Sequence, residues 1–68
     1  MTNSAMLEKV IADSGLRKSA IMRQTGIKSY ATLRAKIGNK SEFTASEIEK
    51  LCEILHLNNS QRGAIFFA

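Results

Sequence analysis

The chain has no proline, no tryptophan and a single cysteine, Cys52. One cysteine excludes an internal disulfide and fits a reducing cytosol. Cys52 and His56, one helical turn apart, are the only Cys and His, and two ligands do not make a metal site. No metal is therefore expected, and Cys52 reads as a small apolar core residue. No apolar run is long enough to span a membrane. The opening MTNSAMLEKVIADSG carries charges inside its apolar pattern, unlike a signal peptide. Neither a nucleophile–base pair nor a glycine-rich phosphate loop is present, so no enzymatic activity and no cofactor are expected. Strand-length alternation and internal repeats are missing too. One local absence is informative: from Ser14 to Ser41 there is no Asp or Glu.

That acid-free stretch holds seven of the ten basic residues: Arg17, Lys18, Arg23, Lys28, Arg34, Lys36 and Lys40. The acids flank it, as Glu8 and Asp13 before, then Glu42, Glu47, Glu49 and Glu53 after. A basic middle between acidic flanks suggests one face for an anionic partner. The 68 residues form a single domain spanning 1–68. At this size the fold depends on helix packing, helped by oligomerisation.

The spacing predicts five short helices. The first runs from about Ala5 to Asp13, capped by Ser4 and ended by Gly15. The second runs from Lys18 to Thr25, and Gly26 makes a tight turn after it. Ser29 caps the third, Tyr30 to Ile37, whose inner stripe is Leu33 and Ile37. The fourth opens at a capping box, Thr44-Ala45-Ser46-Glu47, with Phe43 and Ile48 as its hydrophobic staple. The last spans Ser60 to Phe67, with Asn58 and Gln61 as a second box. The expected core is Leu7, Val10, Ile11, Leu16, Ile21, Met22, Ile27, Leu33, Ile37, Ile48, Leu51, Leu55 and Leu57.

The stretch Leu16–Ile37, LRKSAIMRQTGIKSYATLRAKI, resembles the helix-turn-helix of lambda-repressor-like and Cro-like DNA-binding domains, with the motif at about 17–37. Gly26 matches the turn glycine and Ile27 follows it as in the family. Two departures are visible. Met22 stands where a small residue is usual, and Leu33 lies seven after Gly26 instead of six. The ending RGAIFFA is similar to the tails of small Cro-like proteins encoded by phages of Gram-positive bacteria.

The resemblance implies an all-α, five-helix lambda-repressor-like domain in the cytoplasm of a bacterial host cell. It implies a sequence-specific Cro-like repressor that binds a double-stranded DNA operator as a homodimer. The N-terminal half of its second motif helix would enter the major groove. Aligning Leu33 as the core residue makes Tyr30, Ala31 and Arg34 base-facing, with Lys28, Ser29 and Thr32 beside them. Arg34 can take guanine bidentately, and Ala31 or Thr32 can touch a thymine methyl. Tyr30, three before Leu33, can either face the groove or pack its ring against the core edge. Phosphate contacts are expected from Arg17, Lys18, Ser29, Asn39 and Lys40. Arg23 and Lys36 only raise the local potential. The apolar ending Ile65-Phe66-Phe67 is expected to make a protein interface, since adjacent helical residues cannot all face one core. A second reading is a modulator that binds a cognate repressor protein instead of DNA. RNA is disfavoured, because Tyr30 is the only aromatic in the basic stretch.

Overall fold

Five segments with apolar residues at helical spacing form helices: α1 (Ser4–Ser14), α2 (Lys18–Thr25), α3 (Tyr30–Ile37), α4 (Ala45–Ile54) and α5 (Asn59–Phe66). The structure, a computed structural model, describes residues 1–67, and no strand occurs among them. The fold class is therefore the expected all-α, five-helix one.

The local signals act as their chemistry requires. Thr44 Oγ1 accepts from the Glu47 N–H at 3.2 Å, and Glu47 Oε1 accepts from the Thr44 N–H at 2.9 Å. Asn58 and Gln61 repeat this box at the start of α5, at 2.8 and 2.9 Å. Gly26 ends α2 with φ +80°, a left-handed conformation that a side chain would disfavour, and its N–H returns to the Met22 carbonyl.

The start of α1 differs from expectation. Its cap is Asn3, whose Oδ1 accepts from the Met6 N–H at 3.1 Å. Ser4 instead lies inside the helix and donates its hydroxyl to the Ile37 carbonyl at 2.6 Å. That carbonyl belongs to the last turn of α3, where no later residue of the helix can reach it. The serine is thus spent on a neighbouring helix, and α1 packs beside α3.

The core joins all five helices through Leu7, Ile11, Ile21, Ile27, Leu33, Ile37, Phe43, Ile48, Leu51, Leu55, Ile65 and Phe66. Leu33 is fully buried, so the extra residue after Gly26 is absorbed before α3 begins at Tyr30. Four expected core residues, Val10, Leu16, Met22 and Leu57, are only half-buried and pack around its margin. Met22 occupies the usual small-residue position by lying at this margin. Cys52 also packs there, and burial pushes its thiol up despite the charge of Arg62.

The C-terminal helix requires a correction. Ile65 and Phe66 are both buried, and the Phe66 ring meets Phe43 edge to face, centroids 5.7 Å apart. The core of their own chain takes these two side chains, so they are not an exposed interface. Only Phe67, 63% exposed, points away. The angular argument against burying all three neighbours holds, and two of the three fit into the core. The interhelical space filled by Phe43 accounts for the second.

Candidate nucleic-acid interface

α2 and α3 present a common face built by simple local rules. Four helices have a side-chain cap, from Asn3, Ser29, Thr44 and Asn58. At α2 the cap position is Arg17, which supplies no side-chain acceptor. The Ala20 N–H turns back to the Arg17 carbonyl at 3.0 Å, which leaves the Lys18 and Ser19 N–H groups open to an outside acceptor, and the helix dipole favours an anion there.

On α3, Leu33 and Ile37 point inward, while Tyr30, Ala31, Thr32 and Arg34 are exposed. The register inferred from Leu33 thus puts these four side chains on the outside. Tyr30 is 50% exposed and is not part of the core cluster. The Arg34 guanidinium carbon lies 5.9 Å from the Tyr30 ring centroid. Ser29 Oγ accepts from the Thr32 N–H at 3.0 Å and donates to Thr32 Oγ1 at 3.0 Å. The Ser29 hydroxyl proton is therefore engaged at the helix start. Lys28 is exposed just before it.

Two adjoining concavities organise the expected residues. One, of about 370 Å³, is lined by Ser4, Glu8, Lys18, Tyr30, Arg34, Ile37 and Gly38. The other, of about 340 Å³, is lined by Ala31, Arg34, Ala35, Gly38 and Lys40. Arg34 and Gly38 border both, so Lys18, Tyr30, Ala31, Arg34 and Lys40 share one continuous surface. Arg17 and Lys28 are exposed but outside these two concavities. Asn39 is half-buried and left-handed, with φ +67°. Its Oδ1 accepts from the Thr2 N–H at 3.1 Å, so only its amide N–H groups remain for a phosphate.

The basic stretch is less uniform in space than in sequence. Lys36 Nζ sits 2.6 Å from Glu47 Oε1, tying α3 to α4. Arg23 borders a separate concavity with Glu49, Lys50 and Glu53. Neither cation reinforces the α3 surface. Lys18 does face it, but Glu8 on α1 reaches its Nζ at 3.4 Å. Sequence reasoning missed Glu8, which it grouped with the flanking acids. No spacing rule links residues 8 and 18, because the pair forms only when the turn after α1 brings the start of α2 within reach of Glu8.

A helix that buries one stripe, exposes short and cationic side chains on the other, and follows a glycine turn from an uncapped helix defines a helix-turn-helix DNA-binding domain. The sequence model of the Cro/C1-type helix-turn-helix DNA-binding domain matches residues 6–60, most of the chain. The chain belongs to this family and is a DNA-binding regulator of helix-turn-helix type. No curated protein and no solved structure matches it. Among the described residues, no helix is long and apolar enough to cross a membrane.

Proposed function

We propose that the protein is a Cro-like repressor that occupies a double-stranded operator with the N-terminal half of α3 in the major groove. The observation that carries this reading is the outward set Tyr30, Ala31, Thr32 and Arg34, held by the buried Leu33 and Ile37. A helix fits that groove, where each base pair offers a distinct pattern of donors, acceptors and methyls. Arg34 takes guanine, Ala31 and Thr32 meet a thymine methyl, and Lys28 and Ser29 meet bases at the helix entrance. Phosphates are bound by Arg17, Lys18, Lys40, the Asn39 amide and the free N–H groups of α2. These contacts position the domain and carry no base information. A single domain covers a short half-site, so two copies bind as a homodimer, one duplex turn of about 34 Å apart.

One observation favours a protein partner as well. Phe67 and Met1 are exposed beside a groove lined by Phe43, Ile48 and Phe66, with Glu42 and Arg62 also bordering it. A second copy suits this surface, and a cognate repressor protein is the competing occupant.

The deciding experiment is selection of duplexes from a random pool by the purified protein, with and without its cognate repressor. Enrichment of one site by wild type, lost at one base pair in Arg34→Ala, supports direct operator binding. Failure to enrich any site, together with a stable heteromer, transfers the function to repressor modulation.

A further inference from the structure

Three cations of the basic stretch have neighbours of different kinds. Lys18 is held by Glu8 at 3.4 Å and Lys36 by Glu47 at 2.6 Å. Arg34 has no ion pair among the described residues; its guanidinium carbon lies 5.9 Å from the Tyr30 ring centroid. The difference matters for what each cation can still do. A carboxylate accepts N–H donors and cancels charge. An aromatic ring attracts the cation through its quadrupole and leaves the N–H donors available.

We propose that Tyr30 is a positioning residue that sets base specificity by acting through Arg34, an inference that rests on the operator-binding reading above. The two residues are one helical turn apart on α3 and therefore neighbours on its surface. Both border the concavity shared with Lys18 and Glu8. Glu8 pairs through Oε1 with Lys18. The Arg34 guanidinium has no ion pair or side-chain hydrogen bond among the described residues, and the Tyr30 ring is the neighbour it lies over. Bidentate pairing to a guanine edge demands one plane and one direction of the guanidinium fork. A side chain already restrained over a ring has less rotamer freedom to lose on reaching that geometry. A phosphate can be approached from many directions, so an unmatched duplex gains less from the same restraint. Tyr30 therefore acts on discrimination more than on affinity for DNA in general.

Tyr30 is half exposed, and Ala has the higher helix propensity, so Tyr30→Ala does not weaken α3 through its backbone.

The test compares wild type, Tyr30→Phe, Tyr30→Ala, Arg34→Ala and the double variant. Each is titrated with the selected duplex, a set of its single base-pair variants and a random duplex, alongside a thermal melt. Arg34→Ala is expected to abolish discrimination at one base pair. Tyr30→Ala is expected to lower discrimination at that same pair by roughly two- to fivefold, the size of a surface cation–π contact. Its affinity for the random duplex falls by a smaller factor. Tyr30→Phe retains the ring and so retains the discrimination. Adding Tyr30→Ala to Arg34→Ala causes no further loss of discrimination. Three results overturn the proposal: equal loss in Tyr30→Phe and Tyr30→Ala, which means direct contact through the hydroxyl; wild-type discrimination in Tyr30→Ala; or an added loss in the double variant. A wild-type protein that selects no site overturns the operator reading itself, and this proposal with it.

Discussion

Lys36 Nζ lies 2.6 Å from Glu47 Oε1, and both side chains are only 13% exposed. The same oxygen accepts the Thr44 N–H at 2.9 Å, so one carboxylate caps α4 and anchors the reading helix. Burial pushes the Glu47 carboxyl up, but the hydrogen bonds from Lys36 and Thr44 more than offset it. Its pKa therefore lies below the ordinary 4.5. A carboxyl depressed in the folded state adds stability above its unfolded value and loses it as pH falls through the folded one. Wild type should accordingly lose stability below about pH 4.5, while Glu47→Gln loses less of its own over that range. At pH 7, Glu47→Ala should cost about 1–3 kcal/mol, because it strands a shielded lysine and removes the Glu47 half of the capping box. Lys36→Ala should cost less, since the cap survives. Chemical denaturation from pH 3 to pH 7 reads all of these; an identical pH profile for wild type and Glu47→Gln would contradict the linkage.

Leu33 is fully buried at the centre of the core. Leu33→Ala should cost about 2–5 kcal/mol, the range for truncating a packed core leucine. For a chain of 68 residues that is a large share of the total stability. A melt that matches wild type would refute this placement, and with it the register of α3.

Glu8 pairs with the cation expected to meet phosphate, Lys18. Glu8→Gln should tighten binding to all duplexes by a similar factor and steepen the salt dependence by up to about one unit of slope. Lys18→Ala should weaken all duplexes together and flatten the slope by less than one unit, because part of its charge is already offset in the free protein. Titrations from 50 mM to 300 mM salt distinguish the two. An effect confined to one base pair in either variant would assign these residues to base reading instead.

Phe67 is the apolar residue left outside by α5, while Ile65 and Phe66 serve the core. Phe67→Ser should therefore leave the melt near that of wild type and weaken self-association. Phe66→Ser should lower the melt itself, by removing a buried ring that meets Phe43. Sedimentation over a concentration series, with and without operator, measures the first effect. If Phe67→Ser and wild type sediment alike under every condition, and both bind the cognate repressor equally, this surface is not an interface.

The sequence by itself determined most of what depends on neighbours within one helical turn. The boxes at Thr44 and Asn58 and the cap at Ser29 involve groups three residues apart, and Gly26 needs only its own backbone. These interactions form whatever the rest of the chain does, and all four were legible. Leu33 was legible for a related reason: its four-residue spacing from Ile37 defines one face of α3, and that face must be buried. Only the tertiary structure decided which of several locally allowed partners each polar group takes. Asn3 and Ser4 can both cap α1, and the choice is made by the Ile37 carbonyl, which belongs to another helix. Lys18, Lys36 and Arg34 lie in one acid-free basic stretch, but carboxylates from α1 and α4 pair with the first two. Ile65, Phe66 and Phe67 are equally apolar in sequence, and the helices packed against α5 bury two of them. Helical period limits how many adjacent side chains can face one core, but the volume available there depends on residues such as Phe43, brought in from elsewhere in the chain.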